Sequence, residues 1–338
     1  MGCTIKDIAK DTNLSLATIS KYLNNKKISD ENREKIRKSI DKLGYVPNIQ
    51  AQTLRSKSTN TIAILLPEIS DYFWGEVCNY VETYMRNNGY STLIISYNDE
   101  IDNPEKICQQ IISTHIAGVI ILPQNKGTQP IAKVLKQHNI PTVSIDQRLP
   151  DIDIDSVTSN NYQSSFDVIQ YFVRHCHKRI AVLSRDTGNT SIEERVHGIQ
   201  DACKKLNISS HDFHIYNCDL TTNNMRDTIK KIFSAAEHPT AVFALTFDLT
   251  LLMIQHLDSL HLKIPYDFSL ISFDDAEIFR AYNPPITVVE QNKRDISIHA
   301  GELLLQRLHG DFSHFPCNLE ISTEFIERES VIAANKMM

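Results

Sequence analysis

From residue 60 onward, short apolar runs rich in β-branched residues alternate with longer amphipathic stretches. The first series comprises "TIAILLP", "YSTLIISYN", "AGVIILP" and "IPTVSIDQ", and a second series comprises "RIAVLS", "FHIYNC", "TAVFALT" and "FSLISFDD". Alternation of strand and helix on this scale is typical of parallel sheets with helices on both faces. Because there are two series, we predict two similar lobes, each a doubly wound sheet, with a cleft between them.

The chain has 338 residues, 41% of them hydrophobic, which is enough for two or three domains with a sizeable core. It contains no apolar run of 18 residues, and its first residues lack the apolar stretch of a secretory signal. Seven cysteines stand singly, as is usual for reduced thiols. We therefore expect a cytoplasmic protein with no membrane partner.

Charge is distributed unevenly along the chain. Residues 1–58 hold 12 Lys and Arg against 6 Asp and Glu, whereas the remainder holds 23 basic and 35 acidic residues. A basic head on an acidic body indicates that the head alone meets a polyanion, although a solvated basic face could give the same asymmetry.

The basic head contains three short helical patterns, "TIKDIAKDTN", "SLATISKYLN" and "SDENREKIRKSIDKLGY". Thr4, Ser15 and Ser29 are candidate N-caps, and Gly44 is placed to end the third helix. About four residues join the first two helices, which is the spacing of a helix-turn-helix, whose second helix lies in the DNA major groove.

The second helix offers a candidate DNA-reading surface. If Ile19 and Leu23 face the core, then Leu16, Ala17 and Lys21 point outward, where they can contact thymine methyl groups and guanine acceptors. The candidates for phosphate contacts are Ser15, Thr18, Ser20 and Asn24. On spacing alone, a plain three-helix bundle without a nucleic-acid partner explains the pattern equally well.

The segment that follows contains a short helix-competent stretch within "YVPNIQAQTLRSKSTN". Ala51 and Gln52 lie in this stretch, and Leu54 ends it without an apolar partner nearby. Such a leucine can wedge between base steps in a minor groove. The alternative is a flexible linker with one isolated leucine.

Polar and aromatic residues follow several of the predicted strands in the body. In doubly wound sheets, ligands bind beyond the carboxyl ends of the strands, and carboxylates, an arginine and aromatic rings suit a sugar-like ligand. The residues at these positions are Phe73, Trp74, Asp146, Arg148, Asp274 and Asp275, with Arg195 near the start of a helix. Each alone could equally be a cap or a surface ion pair. The sequence contains no G-x-G, P-loop, G-x-S-x-G or H-E-x-x-H motif, so we predict neither catalysis nor a cofactor or metal site.

Together, "TIKDIAKDTNLSLATISKYLNN" and "LGYVPNIQAQTLRSKSTNTIAILLP" resemble the lactose/galactose repressor (LacI–GalR) family of bacterial transcription regulators. The resemblance extends through "TVSIDQRLP", "EERVHGI", "LISFDDAEI" and "PPITVVEQNK" and so covers nearly the whole chain. It implies base reading by Leu16, Ala17 and Lys21, a hinge helix including Ala51 and Gln52, and a minor-groove wedge at Leu54. Many relatives carry Arg at the positions of Gln52 and Lys21, and Lys cannot reproduce the bidentate fork of Arg.

The resemblance also implies a core similar to periplasmic sugar-binding proteins. Effector contacts are then expected from Asp146, Arg195 and Asp274, with Phe73 and Gln291 as further candidates. Thr246 and Phe247 replace the Asn-Asp pair that usually opens one helix of the family. The remaining candidates for the effector site are Arg148 and Asn160.

The domain boundaries that follow are a helix-turn-helix domain over 1–46, a hinge and linker over 47–59, one lobe over 60–160 with 292–322, and a second lobe over 161–291 with 323–338. The chain would cross between lobes near Asn160, Gln291 and Thr323.

The resemblance implies a dimeric regulator, most simply a repressor of a carbohydrate operon, that binds a palindromic DNA operator and a small sugar effector. Either sign of effector control fits the same contacts, and transcriptional activation is an alternative. A sugar-binding transport component and a sugar-processing enzyme are further alternatives. The basic head and the absence of a signal sequence count against the first, and the absence of a catalytic motif counts against the second.

Overall fold

The computed structural model describes residues 3–23, 27–45, 59–69, 72–97, 103–123, 128–185, 188–234 and 237–337. The chain divides into two compact units, residues 1–59 and residues 60–338.

The smaller unit contains three helices, α1 (Ile5–Thr12), α2 (Leu16–Leu23) and α3 (Asp30–Leu43). Each helix contributes one fully buried isoleucine to a shared core, namely Ile8, Ile19 and Ile36. The apolar spacing read from the sequence therefore corresponds to the buried faces of these helices.

The ends of these helices are set by local side-chain chemistry. The Ser15 hydroxyl accepts a hydrogen bond from the Thr18 backbone N–H at 3.1 Å, and Ser29 accepts one from the Asn32 N–H at 3.4 Å. Gly44 ends α3 in the left-handed conformation, with φ of 60°, which glycine adopts at little cost.

The larger unit has two lobes, each built on a six-stranded sheet. The strands of the first lobe are β1 (Thr61–Leu66), β2 (Ser91–Ser96), β3 (Gly118–Ile121), β4 (Thr142–Ile145), β5 (Asp155–Ser159) and β11 (Asn318–Ile321). They are all parallel, in the order β11-β5-β4-β3-β1-β2. The helices of this lobe are α4 (Tyr72–Asn87), α5 (Pro104–Ser113), α6 (Thr128–Gln137) and α12 (Lys293–Leu308).

The second lobe repeats this arrangement. Its strands are β6 (Ile180–Ser184), β7 (Phe213–Asn217), β8 (Ala241–Ala244), β9 (Ser269–Phe273), β10 (Thr287–Glu290) and β12 (Glu324–Ile326), in the order β12-β10-β9-β8-β6-β7. Its helices are α7 (Asn161–Arg174), α8 (Thr190–Lys205), α9 (Thr222–Phe233), α10 (Phe247–Leu257) and α11 (Glu277–Ala281). None of the helices in the described ranges is long and apolar enough to cross a membrane.

The predicted fold class, a helix-turn-helix head and two doubly wound α/β lobes, is confirmed. The structure adds two strands to the four predicted in each sheet, and one of them, β12, runs antiparallel to β10. The added strands lie at one edge of each sheet: β5 and β11 lie beyond β4, and β10 and β12 lie beyond β9.

The central strands of each sheet are buried on both faces, which explains why they read as continuous apolar runs. Along β1, Ile62 and Ile64 pack into a core on one face, while Ala63 and Leu65 pack into a core on the other. Successive strand residues point to opposite faces, so a single strand contributes side chains to the cores beneath the helices on both faces of the sheet.

The chain changes sheet at three places: between β5 and α7, between β10 and α12, and between β11 and β12. Asn160 ties the first crossing to the third. Its backbone N–H donates to the Ile321 carbonyl at 3.0 Å, and its Oδ1 accepts from the Thr323 N–H at 2.9 Å. The two crossings therefore form one hydrogen-bonded hinge region.

Candidate nucleic-acid interface and ligand pocket

Helix α2 turns its polar and small residues to solvent. Ile19 is fully buried, whereas Leu16, Ala17 and Lys21 are exposed, Leu16 by 44%. An exposed leucine beside a small residue and a cation on the first two turns of a helix can meet base edges in a major groove.

Lys21 differs from several other cations of this unit. On α3, Lys35 pairs with Glu31 at 2.8 Å and Arg37 with Glu34 at 2.7 Å. No carboxylate among residues 3–23 and 27–45 forms an ion pair with Lys21, and its side chain is exposed.

The predicted phosphate contacts lie at the start of α2. Ser15 is exposed, Thr18 and Ser20 are partly exposed, and the Ser15 and Thr18 hydroxyls are hydrogen-bonded at 2.9 Å. The predictions for Asn24, Ala51, Gln52 and Leu54 fall outside the described residues.

In the larger unit, a pocket lies between the lobes at the carboxyl ends of both sheets. It is lined by Phe73, Trp74, Asp146, Arg185, Asn189, Ser191, Ile192, Arg195, Thr246, Phe247, Asp248, Asp274 and Gln291. The pocket is partly open to solvent and combines aromatic and charged side chains, as small-molecule sites commonly do. A second cavity on the second lobe shares Arg185, Asn189 and Ile192 with it.

Two aspartates occupy equivalent places on the two sheets. Asp146 directly follows β4 and Asp274 directly follows β9, both in the left-handed conformation, with φ of 72° and 73°. The Asp146 N–H donates to the Val157 carbonyl at 2.9 Å, and the Asp274 N–H donates to the Val289 carbonyl at 2.8 Å. Each carboxylate is thus fixed where a strand ends.

Arg195, on the second turn of α8, is 3% exposed and is held from three directions. Its Nε donates to Asn161 Oδ1 at 2.8 Å, and its Nη1 donates to the Leu245 carbonyl at 2.6 Å. Its guanidinium carbon lies 3.4 Å from the centre of the Phe273 ring. This side chain is a preorganised donor with little freedom to move.

Carboxylates of both lobes act on the charge of Arg195. Burial lowers the pKa of Arg195, while Asp274 and Asp146 oppose that shift. The buried cation therefore attracts one carboxylate from each sheet, which favours their approach across the cleft.

Gln291 connects the second lobe to the first. Its Nε2 donates to Asp274 Oδ1 at 2.7 Å, and its Oε1 accepts from the Ser159 hydroxyl, at the end of β5, at 2.6 Å. The side chain thus links a pocket carboxylate to the point where the chain leaves the first sheet.

Aromatic rings form the remaining wall. Phe73 and Trp74 pack edge to face, with ring centres 4.8 Å apart, on the first lobe. Phe247 of the second lobe stacks on Tyr72 of the first, with ring centres 5.9 Å apart and planes at 28°. Such faces can pack against the C–H surface of a sugar or another flat ring.

Seven of the nine residues predicted for the effector site line this pocket, and two lie elsewhere. The seven are Phe73, Asp146, Arg195, Thr246, Phe247, Asp274 and Gln291. Arg148 is exposed, with its Nη2 3.9 Å from Glu320. Asn160 directs its side chain to Thr323 and Ser164 at the hinge region.

The pocket also contains residues that the sequence analysis did not select. Arg185 directly follows β6, so the strand-end argument applied to Asp146 also applies here. Asn189 caps α8 by accepting from the Ser191 and Ile192 N–H groups at 2.9 and 3.2 Å. Asp248 lies on the first turn of α10, and no sequence signal distinguished it from an ordinary first-turn acid.

Two family models match this chain. One, described as bacterial regulatory proteins of the lacI family, matches residues 4–48, and the other, a periplasmic binding protein-like domain, matches residues 169–331. The HTH-type transcriptional repressor PurR of Vibrio vulnificus (strain CMCP6) is 27% identical over 334 residues, covering 98% of this chain and 99% of the relative.

Solved structures show the same fold. The lac repressor dimer bound to operator and the anti-inducer ONPF superposes with a TM-score of 0.83 at 20% identity, covering 98% of this chain and 100% of that one. A LacI family regulator from Enterococcus faecium with bound ribose gives a TM-score of 0.72 at 18% identity, over 81% of this chain and 99% of that one. Together with the relative aligned over nearly its whole length, the two family matches show a lacI-family helix-turn-helix domain joined to a periplasmic binding protein-like domain, which is the organisation of a LacI–GalR family regulator.

Proposed function

We propose that this chain is a sequence-specific repressor of a carbohydrate-utilisation operon that binds a palindromic operator as a homodimer. A small sugar-like effector in the pocket between the lobes controls that binding. The observation that carries the proposal is a pocket lined by Asp146 of one lobe and Asp274 of the other, together with the buried Arg195, in a chain that also bears a helix-turn-helix head.

On the DNA side, Leu16, Ala17 and Lys21 read bases from the exposed face of α2, and Ser15, Thr18, Ser20 and Asn24 contact phosphates. Leu54 wedges into the minor groove at the operator centre, next to hinge residues Ala51 and Gln52. The head then comprises residues 1–46 and the hinge 47–59.

On the effector side, the pocket offers acceptors on both lobes and rings along one wall. A carboxylate can accept hydrogen bonds from two neighbouring hydroxyl groups, and an aromatic ring can pack against the sugar's C–H face. The ribose bound in the E. faecium regulator supports a sugar as the class of ligand.

Coupling between the two sites follows from where the pocket residues lie. Asp146 and Phe73 belong to the first lobe, whereas Arg195 and Asp274 belong to the second. A ligand that contacts both sets stabilises the closed cleft, rotates one lobe relative to the other, and moves the hinge segments of the two protomers.

The test is fluorescence anisotropy of a labelled duplex carrying the palindromes upstream of the protein's own gene, against a random duplex of equal length. Lys21→Ala is expected to weaken specific binding by about 10- to 100-fold. Lys38→Ala, a matched change on α3, removes a cation that lies 3.7 Å from Glu34 and is expected to leave binding within twofold. Equal affinity of the intact protein for both duplexes would contradict the proposal.

A further inference from the structure

Asp248 lines the pocket, and its carboxylate accepts no hydrogen bond from the described residues. It lies on the first turn of α10, two residues after the N-cap Thr246, and is partly buried in the pocket wall. An acidic residue in the first turn ordinarily stabilises the helix, because the helix N-terminus carries partial positive charge.

The charges around Asp248 come from both lobes. Burial raises the pKa of Asp248, and the carboxylates of Asp274, after β9, and Glu68, on the first lobe after β1, raise it further. Arg185, after β6, is the cation that opposes the shift. Within the described part of the chain, no residue donates a hydrogen bond to the Asp248 carboxylate.

The neighbouring aspartates are in a different situation. Asp274 accepts from Gln291, and Asp275 is paired with Arg280 and Arg328 at 2.6 and 2.7 Å. Partial burial disfavours the ionised form of Asp248, and its carboxylate, which lines the pocket, can accept hydrogen bonds from a molecule bound there.

We infer that Asp248 is a specificity-determining residue that accepts hydrogen bonds from hydroxyl groups of the effector and selects unphosphorylated sugars over sugar phosphates. This inference rests on the proposed sugar effector. Three carboxylates, Asp146, Asp248 and Asp274, face the pocket against Arg185 and Arg195.

Arg195 is already engaged with Asn161, Leu245 and Phe273. Three carboxylates outnumber the two arginines of the pocket, Arg185 and Arg195, so a phosphate would meet net negative charge, whereas a hydroxyl would supply the donor that Asp248 lacks.

The first arm of the test needs no ligand and measures the thermal unfolding midpoint of the intact chain. Asp248→Asn is expected to raise the midpoint at pH 7.5 by about 2 °C, and by less at pH 5. The pKa of Asp248 is raised, so the ionised form is disfavoured in the folded state and its cost grows as pH rises through that pKa. The control is Asp295→Asn, which removes an exposed first-turn carboxylate of α12 that accepts from Asn292 at 2.8 Å. A purely helix-stabilising Asp248 would behave like Asp295, for which the midpoint falls.

The second arm measures binding by calorimetry with ribose, glucose, ribose 5-phosphate and glucose 6-phosphate. The parent sugar is expected to bind at least ~10-fold more tightly than its phosphate. Asp248→Asn should weaken binding of the parent sugar at least ~10-fold and reduce the difference in affinity between the sugar and its phosphate.

A midpoint that falls in Asp248→Asn, a phosphate that binds more tightly than its parent sugar, or sugar binding within twofold of wild type in Asp248→Asn would each overturn the inference while leaving a sugar effector in place. Absence of binding by both sugars would contradict the proposed effector, and the selectivity with it.

Discussion

The two lobes of the larger unit place a carboxylate in the pocket in the same way but hold it differently. Asp146 and Asp274 share a left-handed backbone and a hydrogen bond to the neighbouring strand. Asp146 depends on the other lobe as well, because the Ser191 hydroxyl of α8 donates to its carbonyl.

The residue after each aspartate extends this difference. The side chain of Gln147 accepts from the Thr190 N–H across the cleft at 3.2 Å. By contrast, Asp275 is fully buried and is ion-paired with Arg280 and Arg328 within its own lobe.

The pocket therefore has one half, around Asp274, that is held within its own lobe, and another half, around Asp146, that depends on contacts with the opposite lobe. Most contacts of Asp274 belong to its own lobe, so we expect them to persist when the cleft opens. The Ser191 contact with Asp146 and the Thr190 contact with Gln147 cross the cleft, so we expect them to break when the lobes separate.

The largest expected effect comes from removing the buried pair in the second lobe. Asp275→Ala leaves Arg280 and Arg328 facing each other and should lower the free energy of unfolding by about 3–5 kcal/mol. Gln147→Ala, at the equivalent position, should cost about 1–2 kcal/mol. Urea unfolding followed by circular dichroism measures both, and equal losses would contradict a preset second lobe.

Two glycines at helix contacts extend the comparison to packing. A Cβ added at Gly198 in α8 would lie 2.1 Å from the Tyr162 carbonyl oxygen, and one at Gly301 in α12 would lie 2.5 Å from Cδ1 of the Tyr84 ring. A backbone carbonyl can shift less easily than a side-chain ring. We therefore expect Gly198→Ala to lower the free energy of unfolding by about 3 kcal/mol and Gly301→Ala to lower it by about 1 kcal/mol.

Gly75→Ala, on α4, is the control for the glycine pair, because nothing lies within 4 Å of the added carbon. The unfolding midpoint of Gly75→Ala should not fall below that of the wild type, since alanine favours a helix more than glycine does. A larger loss at Gly301 than at Gly198 would reverse the comparison.

A pH-dependent difference is expected from the second lobe. His177 is fully buried between Thr240 Oγ1 and the Ile332 carbonyl, and burial lowers its pKa to about 4. The unfolded chain takes up this proton near pH 6.5 and the folded chain does not, so stability should fall by about 3 kcal/mol between pH 6.5 and 4. His177→Gln should remove that part of the slope in urea unfolding at several pH values, and an unchanged slope would refute it.

The smallest effect concerns the contact that crosses the cleft. Ser191→Ala removes the donor to the Asp146 carbonyl and should weaken effector binding by about fivefold, since one hydrogen bond contributes about 1 kcal/mol. Calorimetric titration with ribose measures the affinity. If the account of closure is correct, the urea midpoint should stay close to that of the wild type.

Much of this architecture could be predicted from the sequence because it depends on local rules. Ser15 and Gly44 mark helix ends by their own chemistry, and the β1 run marks a strand buried on both faces. The strands β5 and β12 were missed for the opposite reason: "DSVTS" and "EFI" are short and carry little apolar pattern, so their pairing with distant strands defines them.

The pocket could be predicted as far as chain position indicates side-chain direction. Asp146 and Asp274 follow strands directly and were found. Arg148 comes two residues later and points to solvent, while Asn160 uses its side chain to hold the hinge region. Asp248 could not be distinguished, because the charges that act on its carboxylate are brought near it only by the tertiary fold.

The most direct test of the central claim is operator affinity measured by anisotropy with and without a saturating sugar, ribose first, for the wild type and for Arg195→Lys. The account predicts that the sugar shifts the wild-type dissociation constant at least ~10-fold. Arg195→Lys, which loses the guanidinium that Asn161 and the Leu245 carbonyl hold in the pocket wall, should bind the operator normally without sugar and show no shift. A variant that responds as the wild type does would show that the pocket between the lobes is not the effector site.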